Sequence, residues 1–459
     1  MSKGSLLKDA LFKAAREVLS AGGAGGAGRE GRADSIEVLV DNVRIEALRY
    51  ASSRFHQGVT ETDLKVYIRV LSHGCVGVSS TNSLDRGALK ETQRDALNIA
   101  RHLRKEPFNL RLPGPAPGYG RIGSFFENTA DMTGVEKVSA LSKGFKKEAK
   151  RGVLVSGILQ TSSGEIAVFN SNGVEAYHPY TVAHLVVVGT KGEVSGFKSA
   201  LSKDISRIDV IKAMDDAADA CLLSGRPRAL PPGPYRVLLE PPAVSELLQW
   251  LSYTGFGGKN YHEGTSFLSG RLGQRITGAA VTIYDNGLDE RGLSAPFDLE
   301  GAPKRRLPII EKGVAASIAY DSFTSSIDGS VTTGHASYPD DAEGPLPAHL
   351  FMEGGGLLKG ELLKMLGDGI VINSFHYVNG LLNPKETLMT GMTRHGTFLV
   401  KGGKIRHPVK PLRFTENILR AFERIEGISS ETEAFPNHTF PLSSIVVPYL
   451  LIDGFNFTS

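Results

Sequence analysis

Zinc hydrolysis by a single chain needs two imidazoles on one helical face, a carboxylate base beside them and a third ligand. The sequence has one His-Glu dipeptide, His262-Glu263. Ser266 stands where His-Glu-x-x-His would close, and Phe267 where His-Glu-x-x-x-His would close. Gly257-Gly-Lys-Asn260 just upstream reads as a loop, which places His262 and Glu263 on loop surface. The other histidines, among them His376, His395, His407 and His438, contain no pair at i,i+3 or i,i+4. A convergence of three in space stays open. No Gly-x-Ser-x-Gly elbow is present. His335, in Thr332-Thr-Gly-His-Ala-Ser-Tyr338, has hydroxyls on both sides, a common coincidence in a chain so rich in serine and threonine. Lys304-Arg-Arg306 reads as a solvated turn between two strands. Gly354-Gly-Gly356 reads as a plain loop or as a place where another backbone comes close.

The elements that must position these residues follow from periodicity. Leu7, Leu11, Ala14, Ala15 and Val18 form a helical stripe, followed by the glycine-rich Ala21–Arg32, read as a flexible loop. Ile36–Ile45 and Leu64–Val70 alternate like strands with one solvated face, with Thr60–Asp63 as turn material. Asn82–Asp85 offers caps for a helix running to Leu103, and the prolines between Pro113 and Gly118 mark a boundary. A second unit has a helix over Val135–Arg151, a strand pair at Val153–Leu159 and Glu165–Asn170, a strand at Thr181–Val188 and a helix over Asp209–Leu223. The proline-rich Gly225–Pro234 then leads into a strand, Tyr235–Glu240. The reading is an α+β protein of three domains, at 1–112, 119–226 and 235–459. The N-terminal α/β region carries a mixed sheet with helices, and the strand-rich C-terminal domain is β-barrel-like with helices.

Composition narrows the class. The chain of 459 residues is 41% hydrophobic and 22% charged, ordinary for a globular protein, and its net charge is +3. The densest basic patch, Lys143–Arg151, reads as the solvated face of a helix rather than a nucleic-acid arm. Cys75 and Cys221 are read as small buried hydrophobes in a reducing setting. The N-terminus lacks an apolar leader, and no run approaches the ~20 apolar residues of a membrane span.

Gly264-Thr-Ser-Phe-Leu-Ser-Gly-Arg-Leu-Gly-Gln-Arg-Ile276, Val281-Thr-Ile-Tyr-Asp-Asn-Gly287 and Pro296-Phe-Asp-Leu-Glu-Gly301 follow one another in that order. Further on come Arg306–Val314, Thr333-Gly-His335, Asn379-Gly-Leu-Leu-Asn-Pro384, Gly396–Lys410 and Phe414-Thr-Glu-Asn-Ile-Leu419. In this order the segments resemble the third domain of the TldD/PmbA family of metallopeptidases. The resemblance runs from about Ser35 to Asp453 and is weaker in the first domain, where it rests on Leu64–Val70 and Gly74–Asn82. It implies that Phe414–Leu419 is the closing helix of the family.

The family has two kinds of subunit. In the zinc-bearing TldD type, a strand ending in Leu-Glu-Pro leads into a helix carrying His-Glu-x-x-x-His, and a Cys near the C-terminus is the third ligand. Here Leu239-Glu-Pro241 is followed by positions that put Gln249, Trp250 and Thr254 where the two ligands and the base would stand. No His lies between Tyr235 and Tyr261, and no Cys follows Cys221. The resemblance therefore implies a PmbA (TldE-type) subunit with no catalytic residue, no metal ligand and no cofactor of its own, inactive alone. Zinc is expected in a TldD-type metallopeptidase partner, in a cytoplasmic heterodimer acting on peptide or unfolded substrate, with no membrane or nucleic-acid role. Two alternatives stand beside it. One is a self-sufficient metallopeptidase with a displaced site built from His262, Glu263 and downstream histidines. The other is a binding protein of the DNA-gyrase modulator type, for which the weak charge balance offers little electrostatic support.

Overall fold

In the N-terminal half, alternation of apolar and polar residues builds one sheet. Its strands are β1 (Ser35–Ala51), β2 (Arg54–Ser72), β3 (Cys75–Thr81), β4 (Leu154–Asn170), β5 (Glu175–Lys191) and β6 (Val194–Ser202), in the order β3-β2-β1-β4-β5-β6. The computed structural model describes residues 7–23, 33–120, 122–437 and 442–459; the glycine-rich stretch at 24–32 and His438 fall outside them. Every neighbouring pair in this sheet is antiparallel, so it is not the mixed sheet expected. Tight hairpins join most of the strands, and a hairpin can only return the chain antiparallel. β1 pairs with β4 from Glu37–Asn170 to Tyr50–Gly157. The two N-terminal domains read from the proline segment at 113–118 therefore share a single sheet.

Two local readings change for the same reason. The first hairpin turns at Ser52 and Ser53, both with positive φ (50° and 58°), while Glu61 lies within β2 opposite Ile45. The polar run 54–63 belongs to an exposed strand end, where both faces meet water and polarity no longer marks a turn. Likewise Thr161–Gly164 continues β4 instead of breaking it.

The pleat sorts the packing. Ile36, Val38 and Val40 point to one face, against the helix Lys8–Gly23 and Leu89 and Ala96 of the helix Arg86–His102. Further along that sheet, the helices Gly134–Ala149 and Val210–Leu223 cover Leu48, Leu159 and Leu185. Leu39 and Val43 point the other way, onto Leu293, Phe297 and Leu299 of the C-terminal half.

That half forms an eleven-stranded sheet from β7 (Gly233–Leu239), β8 (Ile283–Asp285), β9 (Leu307–Glu311), β10 (Val314–Ala315), β11 (His349–Met352), β12 (Gly369–Asn383), β13 (Leu388–Lys401), β14 (Lys404–Pro408), β15 (Arg413–Asn417), β16 (Ile425–Pro436) and β17 (Ser444–Phe457). The path β17-β15-β13-β12-β7 returns to β17 through a β17–β7 pairing, so this part closes into a ring. β11 pairs β17 and β12 pairs β7 in parallel, and the remaining pairs are antiparallel. The fold is α+β. The helix Pro241–Gly255 lies against β12 and β17, with Ala243, Val244, Leu247, Leu248 and Leu251 fully buried. Phe414 sits in β15, and the expected closing helix begins only at Ile418, where the Asn417 side chain accepts a hydrogen bond from the Arg420 amide. Among the described residues no helix is long and apolar enough to cross a membrane.

Candidate functional site

The helix Pro241–Gly255 starts on two prolines, whose fixed φ and missing N–H suit a first turn, with Glu240 at its N-cap. Gln249 and Trp250 are half-buried and Thr254 is buried. The Thr254 hydroxyl donates to the Trp250 carbonyl at 2.8 Å. The Trp250 indole fills the space above Gly380, where a Cβ would come within 2.7 Å of the ring. It also stands edge-on to Tyr253, with centroids 5.9 Å apart. Burial pushes the Glu246 carboxyl up, opposed by a hydrogen bond from Trp250. Zinc needs imidazole, thiolate or carboxylate lone pairs aimed at one point. An amide, an indole and a hydroxyl already donating to its own helix do not fit it. Among the described residues, no group of three or more His, Cys, Asp or Glu is placed to hold a metal ion.

His262 is not loop surface. It ends a short helix, Gly258–His262, with the exposed Glu263 as C-cap. Its ring stacks on Tyr320 (5.6 Å, 16°), and Nε2 lies 2.9 Å from the Thr324 carbonyl oxygen. A nitrogen donating to a carbonyl has no lone pair for a metal. His262 and Glu263 line a cavity of about 390 Å³ between the halves, together with Arg69, Glu300 and Asp321.

Of the other histidines, His376 Nδ1 lies 3.4 Å from Arg394, and His395 Nδ1 lies 2.8 Å from Ser195 of β6. His407 Nδ1 lies 3.0 Å from the Pro408 carbonyl. His335 is buried, with Nδ1 2.9 Å from Thr333 Oγ1 and Nε2 3.1 Å from Asp285. These are the residue types of a nucleophile–base–acid line. However, the Thr333 hydroxyl also donates to the Tyr320 carbonyl and accepts from its amide, and His335 has no exposed side-chain surface.

Sequence reasoning missed two buried charge clusters. Arg69 Nη2 lies 2.9 Å from Glu37 and 2.7 Å from Glu300, joining β1 and β2 to the C-terminal half. Burial pushes the Glu37 carboxyl up to about 7 against the pull of Arg69. Burial, with Glu300 adjacent, also pushes Asp298 up to about 7 against backbone N–H donors from Ala302 and Ala336. In the second cluster Lys304 Nζ lies 3.5 Å from Asp285, whose other oxygen accepts the His349 amide at 2.6 Å. Burial alone would raise Asp285, but Lys304 and His335 hold it well below the usual carboxylate range. Burial lowers His335 and takes His349 down to about 3. Lys304 therefore departs from the solvated-turn reading, which fits only its exposed neighbours Arg305 and Arg306. The available signal was positional: Glu37 and Arg69 sit at strand positions that face inward. Cys75 is only partly buried, unlike Cys221. The backbone that approaches Gly355 is the chain's own: a Cβ there would meet the Ile428 carbonyl oxygen at 2.3 Å.

Residues 232–459 match the PmbA/TldA metallopeptidase C-terminal domain. This half of the chain belongs to the PmbA/TldD family. An uncharacterized protein of Methanocaldococcus jannaschii is 24% identical over 78% of this chain and 82% of its own length. A Haemophilus influenzae protein named metalloprotease TldD homolog is 21% identical, covering 82% of this chain and 81% of its own. The crystal structure of TldE from Thermococcus kodakarensis has the same fold, with a TM-score of 0.83 at 19% identity over 93% of this chain and 97% of that one. A Thermotoga maritima structure whose name proposes a DNA gyrase modulator gives a TM-score of 0.82 at 20% identity over 92% and 96%. The Haemophilus influenzae protein named metalloprotease PmbA homolog is also 21% identical, covering 82% of this chain and 83% of its own. In this PmbA/TldD-family chain the helix Pro241–Gly255 carries Gln249, Trp250 and Thr254.

Proposed function

We propose that the chain is a non-catalytic, substrate-gating subunit of a TldD/TldE-type zinc metallopeptidase that cleaves peptide or unfolded substrate in the cytoplasm. The observation that carries the proposal is the helix Pro241–Gly255, where Gln249, Trp250 and Thr254 cannot ligate zinc and Trp250 closes the space over Gly380. In this reading the TldD-type partner brings the zinc, which supplies an activated water when bound. This chain walls the cleft with the Trp250–Tyr253 surface and excludes bulk water there. Among the named strands β14 pairs with β13 alone, and Arg228 bonds its end at Pro408; the rest of that edge can take an extended peptide by backbone hydrogen bonds. The displaced-metal alternative loses support because, among the described residues, no group of three or more His, Cys, Asp or Glu, His262 and Glu263 included, is placed to hold a metal ion.

Metal content decides the matter. Elemental mass spectrometry on the chain alone should find no zinc, and on the chain co-purified with a TldD-type partner about one zinc per heterodimer. Stoichiometric zinc in the lone chain, or chelator-sensitive peptide cleavage by it, would overturn the proposal.

A further inference from the structure

A second interdomain cavity lies on the opposite side of β6 from β5. About 660 Å³ in volume, it is bounded by β6 and the helix Val210–Leu223 on one wall and by β7, β12, β13 and β14 on the other. That size falls within the roughly 300–1,000 Å³ of small-ligand and side-chain pockets, which concentrate at domain interfaces. Its lining follows the helix from Asp209 to Leu223, so the cleft is elongated, about 20 Å at 1.5 Å per residue. An extended peptide of about six residues spans that distance.

The lining is apolar at the floor and acidic at the wall. Phe197, Leu238, Val371 and Phe398 contribute the floor. Leu223 and Ile405 form apolar lips, 54% and 39% exposed. Three lysines, Lys198, Lys212 and Lys359, face five carboxylates, Asp209, Asp216, Asp219, Glu240 and Glu433. The lining is therefore two negative charges from neutrality in a chain whose net charge is +3. All three lysines are already paired, Lys198 with Glu433 at 2.7 Å, Lys359 with Glu240 at 2.7 Å and Lys212 with Asp216 at 2.9 Å. Behind the helix, Lys147 pairs with Asp215, while Arg151 bridges Glu148 and Asp219, so that among the described residues Asp209 is the carboxylate of the lining left outside an ion pair. Asn373 donates its amide to Glu240 at 2.6 Å, while its buried Oδ1 accepts no hydrogen bond from the described residues. An unused acceptor in an acidic cleft calls for a ligand that brings donors and positive charge.

We propose that this cleft binds an extended peptide segment in which apolar side chains alternate with lysine or arginine. The apolar side chains enter the floor between Phe197 and Phe398, and the basic ones meet the carboxylate wall. The site is complete within this chain and stands whether or not a zinc-bearing partner exists.

The test uses the full chain alone and a fluorescently labelled peptide of about eight residues alternating Leu and Lys, with Leu-Glu and Ser-Lys peptides for comparison. Anisotropy should show the Leu-Lys peptide binding at least about tenfold tighter than either comparison peptide and weakening as salt screens the wall. Leu223→Arg and Asp216→Lys, both at solvent-accessible positions on the helix, should each weaken binding about tenfold, while Asp63→Lys, a charge reversal outside the cleft, should not. Equal binding of all three peptides, or wild-type affinity in both cleft variants, would overturn the assignment. A zinc-loaded lone chain would overturn the function proposed above and leave this result untouched.

Discussion

Two groups of buried charge in this molecule meet the same desolvation cost with opposite balances. Around Arg69 the carboxylates Glu37 and Glu300 outnumber the cation, and the bridge spans the two halves of the chain. Around Asp285 a single carboxylate faces Lys304, His335 and the His349 backbone, all within the C-terminal half. Taking ions out of water costs several kcal/mol each, so such groups persist only when paired and hydrogen-bonded. In the first group Arg69 and Glu37 pair across β1 and β2, but Glu300 joins them only when the halves dock. The second can form as the C-terminal half folds. The difference teaches that the side chains most capable of chemistry are engaged in holding the fold. Chemistry and recognition are left to cleft surfaces and, in the proposed complex, to a partner.

The largest break in this comparison is Asp285→Asn, which leaves the Lys304 ammonium buried without an anion. Urea unfolding should show a loss of about 3–5 kcal/mol, and adding Lys304→Met should restore part of it. A loss under about 1 kcal/mol would mean that Lys304 reaches water and the cluster is not closed. Next comes Arg69→Met, expected to cost about 3 kcal/mol and to split unfolding into two transitions as the halves uncouple. Glu37→Gln should cost less, since Arg69 keeps Glu300.

The pH dependence sharpens the contrast. Glu37 and Asp298 titrate near 7 in the folded chain, against ordinary values of 4.5 and 3.8. Between those values the folded state holds more protons than the unfolded state, so this contribution is full in acid and is lost as pH rises through about 7. His349, at about 3 against an ordinary 6.5, has the reverse sign: its contribution is full above 6.5 and is lost as pH falls. Melting temperature against pH should therefore decline on both sides. Glu37→Gln should flatten the neutral side and His349→Asn the acid side. If each variant shifts the whole curve without changing its shape, the opposite balances are wrong. The smallest effect expected is His262→Ala, about 1 kcal/mol from the lost Thr324 bond, with no change in zinc bound by the co-purified complex.

Much of the secondary structure was legible. The helix read over Asp209–Leu223 and the proline-rich linker into β7 both follow local rules of periodicity and punctuation. Thr60–Asp63 was not legible, because a polar run looks the same in a turn and in an exposed strand end. Nor was the sharing of one sheet across the prolines at 113–118, because β1 and β4 are joined by long-range hydrogen bonds that leave no local trace.

The same division holds for the site. Sequence alone determined that an amide, an indole and a hydroxyl stand at Gln249, Trp250 and Thr254, and with that the poor fit of these three positions to zinc, because ligation depends first on donor type. Only the tertiary structure decided that Trp250 closes over Gly380, that His262 is held by Thr324, that Lys304 is buried on Asp285, and that an acidic, apolar-floored cleft opens between β6 and the C-terminal sheet. Burial, pairing and cavity shape arise where segments distant in sequence meet, and no local pattern encodes that meeting.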